Sequence, residues 1–161
     1  VGSSVGQAAL DFTDPANVAL SYTIGGVSGR KVIAREPFGP VDLSVGIEVG
    51  DMWWGGVSQN GWGIAVLQQY RTLFAVWFTY DADGAPVWYV MPSGRWSDAQ
   101  TWEGRIYRTT GSPWLGRPYD PSLFRTTDVG SFRLRFSGDT GTFDYSIDGR
   151  TGSVPIERQP F

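Results

Sequence analysis

Residues 61–91 read GWGIAVLQQYRTLFAVWFTYDADGAPVWYVM, and their spacing predicts three antiparallel strands in a row. They are Trp62–Gln69, Thr72–Tyr80 and Ala85–Met91. Val, Ile, Phe, Trp and Tyr dominate them, the side chains that suit a pleated, half-buried surface. Asp83-Gly84 is a strong hairpin signal, because Gly accepts the positive φ of a tight turn. Tyr70-Arg71 is a weaker one. In the middle strand Leu73, Ala75, Trp77 and Thr79 share one face, and Phe74, Val76, Phe78 and Tyr80 the other. Both sets are apolar, whereas a strand on a one-sided sheet alternates apolar with polar. Two covers are therefore expected: the domain core, and another segment, another subunit or a ligand.

The 161 residues suffice for one ordinary domain with a real core. Twenty-two glycines and an aromatic content of 15% suit many short strands joined by tight turns. No stretch carries a helical 3.6-residue period over three turns, and no apolar run reaches the roughly 18 residues of a membrane span. Net charge is −3 with both signs interspersed, so no basic stripe marks a nucleic-acid partner. Lys31 is the only lysine among thirteen basic residues, which points to a GC-rich genome more than to guanidinium stacking. Cys and His are both absent. This removes disulfides, thiol nucleophiles, imidazole bases and nearly every zinc or copper site. No cofactor motif is present.

The chain repeats itself. Residues 5–38 (VGQAALDFTDPANVALSYTIGGVSGRKVIAREPF) align with 129–161 (VGSFRLRFSGDTGTFDYSIDGRTGSVPIERQPF) once a single residue is dropped. Val5, Gly6, Leu10, Phe12, Tyr22, Ile24, Gly26, Gly29, Ile33, Arg35, Pro37 and Phe38 recur in the second copy at an offset of about 123 residues. Each copy predicts a three-stranded meander. So long a period is no solenoid repeat but a domain-sized unit. The organisation is then a leading meander (1–38), a linker (39–50) and a main domain (51–161). Either the chain is part of a tandem array, or the leading third has a task of its own; the second reading is preferred.

In the main domain, residues 51–57 form a short strand, PSGRWSDAQ is a polar loop carrying Trp96, and Thr101–Arg108 alternates cleanly. Residues 109–128 are the long connection, with three prolines but also Trp114, Leu115, Tyr119 and Phe124. Such loops are usually lids or packed Ω-loops. Eight strands follow from 51 to 158, nearly all joined by hairpins. The fold class is all-β: an antiparallel up-and-down meander closing into an eight-stranded barrel, with a two-sheet sandwich as the alternative.

The blocks GWG, LFAVWFTYDADGAPVW, YRTTG and the closing Ile156-x-Arg158-Gln159-x-Phe161 resemble a family of exported proteobacterial β-repeat proteins. The resemblance covers nearly the whole chain, the leading meander included. It implies an extracellular or cell-surface bacterial protein, often with the unit in tandem. It implies no activity and no catalytic residues.

Asp81-Ala82-Asp83-Gly84 has the opening spacing of a calcium loop but lacks the later acid, so a hairpin turn explains it better. Asp98 with Glu103, or Asp120 with Asp128, are the carboxylate pairs a glycosidase would use. Each also reads as turn or solvated strand, and the expectation is no enzyme and no metal. Stacking on sugar rings needs aromatic faces beside polar groups. Trp53, Trp54, Trp62, Trp96, Trp102 and Trp114 are the aromatic candidates, most of them competing with a core role. Arg117, Tyr119 and Asp120 beside Trp114 form a mouth for a glycan or small ligand, and Trp114 and Trp96 are the ones expected to be exposed. Arg35 and Arg158, each two residues before Pro-Phe, suggest a structural clamp in which Arg meets a carboxylate or an aromatic while Phe plugs a barrel end.

Two functions follow. In the first, a structural subunit associates with itself, head to tail or as a filament, when its leading meander (Leu10, Phe12, Leu20, Tyr22, Ile24) docks on the face Phe74, Val76, Phe78 and Tyr80 of the next unit. In the second, a monomer holds a glycan through its Trp residues and the 109–128 loop.

Overall fold

The structure, a computed structural model, describes residues 2–44, 46–113 and 115–160. Among the described residues twelve strands run β1 (Gly6–Asp14), β2 (Asn17–Ile24), β3 (Val27–Ala34), β4 (Asp51–Trp54), β5 (Gly63–Gln69), β6 (Thr72–Tyr80), β7 (Pro86–Met91), β8 (Gly94–Trp96), β9 (Thr101–Thr110), β10 (Arg125–Ser137), β11 (Thr140–Ile147) and β12 (Arg150–Arg158). No α-helix occurs among the described residues; Val57–Gln59 and Pro121–Leu123 are single 3-10 turns. The chain forms two compact units, β1–β3 with the segment Gly111–Phe124, and β4–β12 with the residues from Phe38 that lead into β4.

The second unit is a closed eight-stranded antiparallel barrel, not the sandwich. The ring runs β4-β5-β6-β7-β9-β10-β11-β12 and returns to β4, where Glu157 pairs with Trp54 and Arg158 with Trp53. β8 is the continuation of β7 along the same side of β9. Val90 stands opposite Tyr107, Gly94 opposite Gly104 and Trp96 opposite Trp102, so the register slips by one across Pro92-Ser93. Proline has no N–H to give the ladder, and the strand breaks there. The expected polar loop around Trp96 is therefore partly strand. The long connection is shorter than expected. Thr109 pairs with Thr126 and Thr110 with Arg125, which narrows it to Gly111–Phe124. β-branched threonines on both arms favour the extended ladder. At the weaker turn, Gln69 pairs with Thr72 and Tyr70 takes φ 55°, left-handed without glycine, which is why its signal was faint.

Aromatic side chains fill the barrel. Trp53 meets Phe136 at 5.1 Å between ring centroids, Trp77 meets Phe143 edge-on at 4.9 Å, and Trp102 meets Phe132 at 4.6 Å. Leu73, Ala75 and Trp77 of β6 point into this core. Arg158 ties the ring where it closes. Its guanidinium lies 4.9 Å over the Trp53 ring and donates to Asp51 Oδ2 (2.9 Å), Asp139 Oδ1 (2.9 Å) and the Glu48 carbonyl (2.6 Å). The clamp thus uses both a carboxylate and an aromatic. Its Phe partner does not plug a barrel end in the leading copy: Phe38 lies on the outside against Phe74, 6.1 Å between centroids. Phe161 lies outside the described residues.

In the first unit, β1-β2-β3 is a separate meander that repeats β10-β11-β12 pair for pair. Leu10 stands opposite Leu20 as Leu134 stands opposite Phe143, and Tyr22 opposite Gly29 as Tyr145 opposite Gly152. The Arg35 N–H donates to the Ala16 carbonyl (2.7 Å) as that of Arg158 does to Asp139 (2.9 Å). Both glycines make room for the tyrosine: a Cβ on Gly29 would collide with the Tyr22 ring, and one on Gly152 with the Tyr145 ring.

Candidate functional site

The meander carries a core face with much of the core missing. Leu10 and Phe12 hold the places of Leu134 and Phe136, yet they are 57% and 71% exposed against 0% and 1%. Ile33 is exposed where Ile156 is buried, while Leu20 and Ile24 are half-buried and Tyr22 is buried. The β3 side has some cover from its own unit. Lys31 Nζ sits 5.8 Å over the ring of Tyr119, and Gly116 approaches Val27 closely. The β1 side stays exposed, and among the described residues β1 and β3 are the two edge strands of their sheet.

A second apolar surface lies on the outside of the barrel. Ala65 and Leu67 on β5 face Val76 and Phe74 on β6, while Phe78 and Tyr80 face Trp88 and Pro86 on β7. Leu67, Phe78, Tyr80 and Trp88 are about half exposed, Phe74 and Val76 less so. Phe38 covers part of Phe74, fixed by the N–H groups of Phe38 and Gly39 donating to Gln69 Oε1 at 3.0 and 3.2 Å. The two-faced middle strand is thus core on one side and a partly covered outer patch on the other. Contiguous exposed apolar patches of this kind mark interaction surfaces. Trp88 was missed as a candidate, although the alternation Pro86, Trp88, Val90 against Val87, Tyr89, Met91 carries the signal.

The ligand-stacking candidates fare differently. Trp53 is fully buried and donates its Nε1 to the Val49 carbonyl at 2.9 Å, so it offers no face to a ligand. Trp102 is core as well. Trp54 and Trp62 are half-buried, Trp62 packed against the core. Trp96 is not an exposed loop residue. It packs on the core and donates Nε1 to the Arg71 carbonyl at 2.8 Å. Trp114 lies outside the described residues. Arg117, Tyr119 and Asp120 are exposed, but Asp120 caps its 3-10 turn, accepting from the Ser122 N–H (2.9 Å) and hydroxyl (2.7 Å), which hold its carboxyl below the usual range.

The other carboxylates are similarly engaged. Asp81 Oδ1 accepts from the N–H groups of Asp83 and Ala85 (3.0 and 2.9 Å), closing its own hairpin. Asp98 accepts from the backbone of Gln100 and Thr101, which lowers its pKa. Glu103 joins Arg95 and Arg133 (2.8 and 3.0 Å). Asp128 grips Arg105 through both oxygens (2.6 and 2.8 Å), which lowers the carboxyl and raises the guanidinium. One barrel mouth holds an open depression of about 670 Å³ lined by Trp77, Tyr89, Arg108, Tyr145 and Asp148 among others. Arg108 there reaches Tyr89 Oη and Asp148 Oδ2, both at 3.3 Å, but Trp77 and Tyr89 are buried and give no stacking platform. Compared with family models, with curated proteins and with solved structures, the chain matches none of them.

Proposed function

We propose that this chain is a non-catalytic structural β-subunit, exported by a bacterium, that joins to other units of its own kind through β1–β3. One observation carries the reading: the meander exposes side chains that its second copy buries, Phe12 at 71% against Phe136 at 1%. Burying apolar area is the main driving force of association. The outer patch of β5–β7 gives a head-to-tail assembly a further contact. Light scattering across a concentration series tests it. The mass of the full chain is expected to grow with concentration, and that of a chain lacking residues 2–37 to stay constant. Constant mass near 17.7 kDa for the full chain would refute the reading.

A second reading, a glycan-binding module, is favoured by the exposed rings of Tyr119 in one unit and Trp88 in the other. It expects a shift of Trp fluorescence on titration with oligosaccharides. No response across a broad glycan panel counts against it.

A further inference from the structure

We infer that β1–β3 is a barrel-closing segment, and that its partner is a five-stranded antiparallel segment of the β4–β9 type in a neighbouring unit. The inference rests on the assembly reading above and names the partner within it. The same three strands occur twice in this chain, in the same register. In the second copy their inner face is covered by β4, β5, β6, β7 and β9, and both of their edges are paired, β10 with β9 and β12 with β4. In the first copy neither edge pairs with another strand among the described residues. What fits the second copy is therefore the template for what fits the first.

The template fixes a register. Arg133 stands opposite Glu103 and Leu134 opposite Trp102 on β9, so Ala9 and Leu10 take those places against the partner. Arg158 stands opposite Trp53, so Arg35 meets the partner's equivalent of Trp53 and of the Asp51 carboxylate that Arg158 holds. Strand addition of this kind supplies backbone hydrogen bonds at both edges.

An intact second copy is a poor donor, because its own β10–β12 closes the ring better. Ala8 stands where Phe132 fills the core, Leu20 where Phe143 does, and Lys31 where Val154 does. Ala16 replaces the Asp139 that pairs with Arg158. Exchange between intact copies is the weak form of association. A five-stranded segment without a closing triple is the strong form. The same differences set specificity: the best partner carries extra side-chain volume opposite Ala8. It must also displace Tyr119 from Lys31.

The test uses residues 39–128 of this chain as the probe. The full chain carries Ala9→Cys and the probe Glu103→Cys; no native cysteine is present, so the only competing products are the 9–9 and 103–103 homodisulfides. Both are mixed in urea and diluted together into buffer containing reduced and oxidised glutathione, whose disulfide is the oxidant. Directly opposed residues on paired strands lie within disulfide reach. The expected result is a one-to-one complex with a disulfide between positions 9 and 103, and about tenfold weaker binding for Arg35→Ala. Three results overturn the inference: no one-to-one species from a probe that does recombine with residues 129–161, equal binding by a chain lacking residues 2–37, or cross-linking to Arg133→Cys rather than Ala9→Cys. If the chain alone grows in mass and the probe does not bind, the partner is wrong and the assembly reading stands. If neither happens, both fall.

Discussion

Leu10 and Leu134 occupy equivalent places in two copies of one meander, which makes Leu→Ala at each a matched pair. Leu134 is 0% exposed within an aromatic core. Its truncation loses the transfer free energy of the side chain and leaves a cavity that rigid rings cannot close, about 3–4 kcal/mol. Leu10 is 57% exposed, so truncation there removes less than half the burial of a leucine, about 1 kcal/mol, confined to the meander. Tryptophan fluorescence separates the two. Seven of the eight tryptophans, all but Trp114, lie in the barrel unit, and the meander has none. At a typical urea slope, Leu134→Ala lowers the fluorescence midpoint by about 2 M. Leu10→Ala leaves it within about 0.3 M of wild type. A Leu10→Ala midpoint that falls as far as that of Leu134→Ala would refute the claim that the meander's core face is uncovered. So would a Leu134→Ala loss under about 1 kcal/mol.

Three further outcomes are expected. Arg158→Ala lowers barrel stability by roughly 1–2 kcal/mol, since the lost bonds to Asp51, Asp139 and the Glu48 carbonyl are charge-assisted but partly screened, and Arg158→Lys recovers only part of it by urea titration. Gly152→Ala costs about 2 kcal/mol, because the new methyl meets a Tyr145 ring held 4.8 Å from Trp77, whereas Gly29→Ala leaves the fluorescence midpoint unchanged. Asp51, Asp98 and Asp128 have folded pKa values below the unfolded value, so their stabilisation is complete above about pH 4–5 and is lost as pH falls through the folded values. With no His or Cys, the urea midpoint is expected to stay flat from pH 6 to 8 and to fall below pH 4; a titration near neutrality would contradict this.

Much of the fold was legible because its signals are local. The run of β-branched and aromatic residues in Thr72–Tyr80, the Asp83-Gly84 turn and the repeated Tyr-x-Ile pattern depend on neighbours a few residues away, and eight strands from 51 to 158 close the barrel. The break at Pro92-Ser93 was not, since a strand can resume after a proline only when a partner such as β9 is there to receive it. Thr109 and Arg125 were hidden in the long connection for the same reason: their ladder forms between segments far apart in sequence. The aromatic candidates failed on a different point. Trp53, Trp88 and Trp96 look alike in composition, and only the register decides that Trp53 is sealed inside, Trp88 stands outside and Trp96 is pinned to the Arg71 carbonyl. The meander's register was legible from its repeat, but its exposure was not, because exposure depends on which strands are present to cover it.

The Arg158 tie has a mechanical consequence. β4 and β12 run antiparallel, so the chain enters the barrel at Asp51 and leaves it after Arg158 on the same side, with the Gln159 N–H bound to the Met52 carbonyl at 2.9 Å. Tension applied along the chain would by itself unzip this two-residue seam one pair at a time. The guanidinium bridges Glu48, Asp51 and the exit strand across that entrance. A pull on the polypeptide is thereby carried from the incoming segment to the outgoing one at a single knot, and the eight strands behind it bear little of the load.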